Sequence, residues 1–292
     1  MTSQYPKISV VMPSYNQGCF IEEGITSVLG QNYPCLEFIV MDGGSTDQTL
    51  EILKKYAGKL TYWQSRKDNG QSDAIMQGVA RSTGEVICWL NSDDMLMPGA
   101  LLDVGKKFRP DQKYRLIYGA SVYLAQEKPL LYCGSLIPLE YDPERLTYLD
   151  YLSQPSAFWT RALWDAVGGI NVDYHYVMDW DFYNKAAKLT AFEYVPRFYS
   201  IFRKHPLHKS GLDTAARRKE IVAVAKAYAT PYWGSLYEEV EKRYSAIQAL
   251  VRFTDRLRLP RLVGLLPVLF PGLAPKVKKL RDLETVLGMF LL

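Results

Sequence analysis

Val86-Ile87-Cys88-Trp89-Leu90-Asn91-Ser92-Asp93-Asp94 is a run of five apolar residues followed by four polar ones. An apolar run of this length, bounded by polar residues, predicts a strand buried on both faces, as the centre of a mostly parallel sheet requires. Two adjacent carboxylates and an amide at the mouth of such a strand carry a desolvation cost, which a bound cation or hydrogen-bonding ligand offsets most easily. In open α/β sheets ligands sit outside the carboxyl ends of the strands, where this cluster falls.

Upstream, the same alternation recurs. Residues 8–12 form a β-branched run that stops at Pro13, followed by the polar loop 14–18 and an amphipathic stretch over 20–29. Residues 36–41 predict a second strand, ending in Asp42-Gly43-Gly44-Ser45-Thr46-Asp47, with Thr46 or Asp47 as cap of a helix running to Tyr56. A third strand over 60–64 leads through a polar loop, 66–71, to a helix capped by Ser72 and running to Arg81. Pro98 is expected as the first residue of the helix after Asp94. Strands and helices alternating at this spacing predict a parallel sheet with right-handed crossovers and loops opening on one edge.

Downstream the alternation loosens. Residues 115–124 and 129–133 read as a strand pair, and 155–160 as a strand leading into a short helix closed by Gly168-Gly169. Residues 180–189 have helical spacing, and 192–201 return as a strand before the basic loop 202–210. From about Asp213 the chain changes to long helical runs, 214–229 and 234–258. A proline-broken apolar stretch follows at 262–274, flanked by Arg252, Arg256, Arg258 and Arg261 before it and Lys276, Lys278, Lys279 and Arg281 after it.

The chain of 292 residues, 48% hydrophobic and 23% charged, has the composition of an ordinary globular protein with ample core. A net charge of +4 is too mild and scattered to argue for nucleic acid, although it suits a protein that meets anionic phosphates. Cys19, Cys35, Cys88 and Cys133 are widely spaced, without a CxxC pair or a signal peptide ahead of them, so the expected setting is reducing and cytoplasmic. No stretch reaches the ~18 uninterrupted apolar residues of a spanning helix. The basic-flanked apolar tail fits a helical tail packed on the domain, and it equally fits a segment lying in a membrane interface; both readings stay open.

The motifs together resemble those of family 2 glycosyltransferases, the inverting nucleotide-sugar enzymes of the GT-A fold. The likeness runs from about residue 8 to residue 210, with the pieces in the family's order: Val11-Met12-Pro13-Ser14-Tyr15-Asn16, Met41-Asp42-Gly43-Gly44-Ser45-Thr46-Asp47, Asp68-Asn69-Gly70 with Ser72-Asp73-Ala74, and Trp89 to Asp94. Gly168-Gly169, Met178-Asp179-Trp180-Asp181 and Arg203-Lys204-His205 complete the series. The resemblance implies a GT-A domain over 1–212, with a nucleotide-binding half at 1–97 and an acceptor half at 98–212, and a helical region at 213–292.

It also implies roles. A nucleotide-sugar donor, whether a UDP-, GDP- or dTDP-sugar, would lie against Pro13, Ser14, Tyr15, Asn16 and Asp42, with Asp68, Asn69, Gly70, Asp73, Asn91 and Ser92 continuing the pocket toward ribose and sugar. Asp93 corresponds to the last acid of the DxD motif and is the expected ligand of Mn²⁺ or Mg²⁺. Asn91 stands where the first acid usually is, and Gly43 stands where a second acid often follows Asp42. His205 is expected on the metal or the phosphate, with Arg203 and Lys209 neutralising the diphosphate. Asp179 is the expected base that takes the proton of the attacking acceptor hydroxyl, and Asp181 is its competitor. The acceptor implied is a glycan or a lipid-linked glycan. Trp159, Trp164 and Trp180 can offer stacking surface to a sugar or simply fill the core.

Two other classes compete. A non-catalytic nucleotide-sugar binder or scaffold on the same fold draws support from Asn91 and Gly43. A dinucleotide-dependent oxidoreductase needs a GxGxxG turn after the first strand, where this chain has Pro13-Ser14-Tyr15-Asn16-Gln17-Gly18.

Overall fold

Every residue of β1 (Ile8–Ser14) is buried, as the β-branched run predicts, and β1 lies inside a nine-stranded sheet. The computed structural model describes residues 5–109, 111–127, 130–206, 208–209, 213–256 and 263–291. In chain order β1 is followed by α1 (Ile21–Leu29), β2 (Leu36–Asp42), α2 (Thr49–Tyr56), β3 (Tyr62–Ser65), α3 (Gln71–Arg81), β4 (Val86–Trp89), β5 (Met95–Leu96) and α4 (Ala100–Lys107). Next come β6 (Leu116–Glu127), β7 (Leu130–Leu136), α5 (Pro143–Leu146), β8 (Ala157–Thr160), α6 (Arg161–Val167), α7 (Met178–Ala186) and β9 (Phe192–Lys204). The helices α8 (Ala215–Tyr228), α9 (Pro231–Arg256), α10 (Leu266–Leu269) and α11 (Leu280–Leu291) complete the chain.

The strands run in the order β3-β2-β1-β4-β8-β6-β9-β5, with β7 on β6. The first four are parallel, and so is the β6–β9 ladder. The ladders β4–β8, β6–β8, β6–β7 and β5–β9 are antiparallel. The sheet is therefore mixed rather than mostly parallel. The expectation extended the local alternation of residues 8–90 to strands whose direction is set by long-range pairing.

Pro13 does not end β1. The β1–β4 ladder stops at Val11 and Trp89, so beyond that point β1 has only β2 beside it, and proline's missing N–H costs no ladder bond on the open side. Order reverses at this place: β2 and β3 extend from β1 one way and β4 the other, which opens a crevice at the carboxyl ends.

Helix starts differ from expectation in two places. α4 begins at Ala100 behind a left-handed Gly99, leaving Pro98 in the exposed turn before it. Ser72 lies inside α3, and its hydroxyl donates to the Tyr174 carbonyl at 2.7 Å instead of capping. Asp47 does serve the start of α2, accepting from Thr49 N at 3.0 Å and Gly18 N at 2.8 Å. α6 closes on left-handed Gly168.

The chain divides into two compact units, Met1–Asp142 with Tyr151–Pro206, and Pro143–Asp150 with Leu207–Leu292. The first holds the sheet. Its three tryptophans at 159, 164 and 180 are buried, with Trp159 edge-on to Trp89 at 5.1 Å and parallel to Trp164 at 6.1 Å, so the core reading applies to them. In the second, α9 buries Leu236, Val240, Tyr244 and Ile247 along one stripe. Arg217 donates to the carbonyls of Met289 and Phe290, at 3.0 and 3.1 Å, satisfying the open end of α11. Among the described residues no helix is long and apolar enough to cross a membrane.

Candidate functional site

The carboxyl ends of β1 and β2 form a rigid turn. Asp42, only 1% exposed, accepts from Ser45 N at 2.9 Å, Gly44 N at 3.2 Å and Ser65 Oγ at 2.6 Å on one oxygen, and from Ser45 Oγ at 2.5 Å on the other. Asn16, in the left-handed region at φ 52°, ties the first loop to it: its N–H donates to Ser45 Oγ at 2.7 Å and its Oδ1 accepts from Thr46 N at 2.9 Å. Pro13 and Ser14 are buried on the strand, with Ser14 Oγ lacking a hydrogen-bond partner among the described residues. Tyr15 presents its ring to solvent, 61% exposed.

The start of α3 continues this edge. Asp68 Oδ1 accepts from Gly70 N at 2.9 Å, and Asp73 Oδ2 collects Asn69 N at 3.0 Å, Asn69 Nδ2 at 3.3 Å and Gln77 Nε2 at 2.9 Å. Those donors, the Asn69 N–H first, hold the Asp73 carboxyl below its ordinary range. Asp68 shifts the other way: burial pushes its carboxyl up, and the charges of Asp73 and Asp42 add to this against the Gly70 N–H. Gly43 gives Asp68 its place. A Cβ on Gly43 would stand 2.9 Å from Asp68 Oδ2.

The stretch that opened the sequence reading ends in a tight corner. Asp94 N donates to the Asn91 carbonyl at 3.0 Å, turning the chain after β4. Helix α1 packs directly on this turn, where a Cβ on Gly24 would meet the Asp94 and Ser92 carbonyls at 3.1 and 3.2 Å. Ser92 is buried, and the Asn91 amide oxygen is held by Gln71 Nε2 at 2.7 Å. The two-residue strand β5 then pairs with β9 through Met95–Ile201 and Leu96–Ser200. That pairing brings the end of β9 beside the turn, so that His205 Nε2 lies 3.1 Å from Asp93 Oδ2 across 112 residues of sequence. Phe20, at the start of α1, packs on the His205 ring at 4.5 Å.

Arg203 is placed otherwise than expected. Only 1% exposed, it donates from its backbone to Asp94 Oδ1 at 3.0 Å and from Nε to the Asp93 carbonyl at 3.0 Å; its guanidinium also pairs with Glu23 and stacks over Phe20 at 4.9 Å. Its backbone and guanidinium thus lie against the Asp93–Asp94 turn. Asp94 belongs to the same underpinning: burial, with the Asp93 charge behind it, pushes its carboxyl well above the usual range, and its Oδ2 has no partner among the described residues. Lys209 falls in the second unit.

The two candidate bases separate by environment. Asp181 is buried and paired with Lys185 at 2.7 Å within α7, whereas Asp179 is half-buried on the first turn and accepts from Trp180 N at 2.9 Å. The loop leading to α7 is fixed to α3 by the Ser72–Tyr174 bond.

Sequence reasoning missed Glu23, Phe20 and Gln71 as supports of this corner. Glu23 and Phe20 read only as positions of an amphipathic helix, since nothing local signals a partner 180 residues away.

No group of three or more His, Cys, Asp or Glu gathers to hold a cation among the described residues; at this corner the metal-ligating types that meet are Asp93 and His205. A carboxylate oxygen suits Mn²⁺ or Mg²⁺, the imidazole nitrogen favours Mn²⁺ of the two, and neighbouring ligands on an octahedral ion with ~2.1 Å bonds stand ~3 Å apart, as these two atoms do. The donor set fits an ion whose other positions go to phosphate oxygens and water.

The mixed sheet with this open edge and the helical region is a GT-A-like α/β fold. TarS of S. aureus in complex with UDP-GlcNAc shares it with a TM-score of 0.59 at 18% identity, over 97% of this chain and 90% of that one. Mannosyltransferase PcManGT from Pyrobaculum calidifontis, in complex with GDP-Man and Mn²⁺, gives 0.60 at 17% identity, over 99% and 88%. At those identities the likeness is one of fold. Residues 9–128 match the model of glycosyl transferase family 2. A chondroitin synthase of Escherichia coli is 30% identical over 218 residues, 74% of this chain but 31% of that relative's own length.

Proposed function

We propose that this chain is a metal-dependent inverting glycosyltransferase, moving a sugar from a nucleoside-diphosphate sugar to a hydroxyl of a glycan or lipid-linked glycan. The observation that carries the reading is the meeting of Asp93 and His205 at the carboxyl edge of the sheet. The family match of residues 9–128 and the fold shared with proteins solved with UDP-GlcNAc and GDP-Man support it.

In this reading the base and ribose lie over the turn built by Asp42 and Asn16, with the Tyr15 ring and the edge of Asp68–Gly70 as walls. Asp93 and His205 hold a divalent cation, which when bound neutralises charge developing on the leaving diphosphate. Asp179 accepts the proton of the acceptor hydroxyl while that oxygen bonds to the anomeric carbon. The bond to the diphosphate oxygen breaks on the opposite face, and the electron pair leaves with the diphosphate. Arg203 takes no direct part; it holds the Asp93 backbone, and through β9 the imidazole, in place.

Calorimetry of UDP, GDP and dTDP with and without Mn²⁺, on the wild type and Asp93→Ala, tests the donor site. One nucleotide bound in a metal-dependent way and lost in the variant is the expected result; no binding of any nucleotide to the wild type sinks the reading. Asp179→Asn then separates transfer from binding, with unchanged nucleotide affinity and a rate lower by ~10²–10⁴. A non-catalytic binder is the second reading, favoured by the Asn91 amide being taken up by Gln71. Nucleotide binding with no transfer or hydrolysis in the wild type would select it.

A further inference from the structure

Within the second unit, residues 264–281 contain no acidic residue and four exposed cations, Lys276, Lys278, Lys279 and Arg281. The same segment turns apolar side chains outward. Val268, Leu269 and Leu265 are 72%, 52% and 45% exposed, while Leu266 and Leu273 are buried and fix the segment in place. Leu280, 45% exposed, joins them: a Cβ on Gly264 would stand 3.7 Å from Leu280 Cδ2, so the two ends of the segment meet. The basic stretch is anchored to α9, with Lys278 Nζ over the Tyr232 ring at 4.5 Å and Lys276 Nζ donating to Ser235 Oγ at 2.9 Å.

Large apolar side chains held out of the core satisfy neither water nor the protein interior, and the four cations beside them, followed by Asp282 and Glu284, make no ion pair among the described residues. α10 with its flanking turns is far too short to span a bilayer, but apolar residues rimmed by Lys and Arg are what lies in a headgroup interface. We infer that this face docks on a lipid surface carrying anionic headgroups. An apolar protein partner would explain Val268 and Leu269, whereas the charge of the rim selects the anionic surface. The inference is independent of the transfer reaction proposed above.

Flotation of the full chain with vesicles of phosphatidylcholine, and of phosphatidylcholine with phosphatidylglycerol, tests it. Binding to the mixed vesicles alone, weakening over a roughly tenfold rise in salt, is the expected result. Each cation near an anionic surface is worth roughly fivefold in affinity, so Lys279→Gln with Arg281→Gln lowers binding roughly 30-fold at low salt. Val268→Asp with Leu269→Asp abolishes flotation while melting as the wild type does, since both side chains already face solvent. Absence of wild-type flotation at low salt overturns the inference, as does equal flotation of the Asp variant. Should that variant melt early, the salt dependence of the wild type decides, and binding insensitive to salt is a refutation. Self-association of the wild type without vesicle binding, lost in the Asp variant, assigns the face to a second copy and overturns the lipid docking.

Discussion

At the amino edge of the sheet, Glu37 takes a hydrogen bond from Ser9 Oγ at 2.5 Å, from Thr83 N at 2.7 Å and from Thr83 Oγ1 at 2.9 Å, and Ser9 Oγ in turn accepts from Gly84 N at 2.9 Å. At the carboxyl edge, the Asp93 carboxylate meets a single side chain among the described residues, His205, itself a metal-ligating type. The same sheet thus finishes one acid and leaves the other unfinished. Glu37 has its donors supplied by Ser9, its partner across the β1–β2 ladder, and by Thr83 in the loop before β4, so its charge is satisfied by folding alone. Asp93 is supported from behind, by Arg203 on its carbonyl and Asp94 below, and under the proposed function its carboxylate is kept for the donor's cation. Asp42 shows that the carboxyl edge is not open everywhere, since its oxygens collect four donors from its own turn and β3.

The comparison breaks most directly at Asp93. Under the proposed function, Asp93→Asn lowers the transfer rate by about 10³, equivalent to about 4 kcal/mol of transition-state stabilisation, and leaves the thermal midpoint unchanged. A variant that lost stability along with activity would show that Asp93 is finished by the fold after all, and the contrast would fail. Steady-state kinetics and a thermal melt on one preparation read both.

Glu37→Ala is the opposite case. Removing a buried carboxylate strands three donor groups, which costs about 3 kcal/mol of stability, with nucleotide affinity untouched. Burial works against the charged form of Glu37, and the Ser9 and Thr83 donors outweigh it, so its carboxyl lies below the ordinary range. A group lowered in the folded state adds stability above the unfolded pKa of ~4.3, lost as pH falls through the folded value. The gap between wild type and Glu37→Ala therefore narrows below about pH 4 in urea titrations. A gap constant with pH would mean that the charge of Glu37 is not what the amino edge stabilises.

Arg203→Lys probes the support behind the open acid. Lysine cannot span Glu23 and the Asp93 carbonyl in one plane, and about 2 kcal/mol of stability goes with the lost pairing. Because the Arg203 backbone bond to Asp94 survives the change, Mn²⁺ affinity falls modestly, and kcat falls more than KM rises. A large rise in KM for the nucleotide sugar with stability intact would instead restore Arg203 to the ligand-facing role that its place in the motif implied.

How much of this was legible follows from the range of each interaction. Strands β1 to β4 are local patterns, and residues 8–90 announce them. β5 is two residues long and exists only because β9 lies beside it, so the device that joins His205 to Asp93 has no sequence signature. The mixed direction of the sheet was missed for the same reason: β8 is four residues, three of them apolar, whose orientation is decided by its neighbours β4 and β6. Asp93, His205 and Arg203 were all named through motifs, but the burial of Arg203 was not legible there, because motif membership says nothing of which side chain faces inward. Segment 143–150, which belongs with the helical unit, interrupts the sheet unit without any change of composition.

Asp68 gives the smallest effect and the finest division between the two edges. Unlike Glu37, it is an acid whose charged form the fold penalises, burial first and then the charges of Asp73 and Asp42, with Gly70 N–H as partial relief. A carboxyl raised in the folded state binds its proton more tightly there than in the unfolded chain. Its penalty is absent below the unfolded pKa of ~3.9 and grows as pH rises through the folded value. Asp68→Asn keeps an acceptor for Gly70 N–H and removes the charge, so it melts slightly higher than the wild type at pH 7 and together with it at pH 3. If the carboxylate is retained for the donor's ribose or sugar, the same substitution weakens nucleotide-sugar binding while it stabilises the protein. Gly43→Asp, which drives a side chain into the Asp68 carboxylate, loses binding alone but regains part of it when combined with Asp68→Gly, because position 43 then supplies the acid. A double variant no better than either single one would show that the place of the charge, and not its presence at this edge, is what the donor requires.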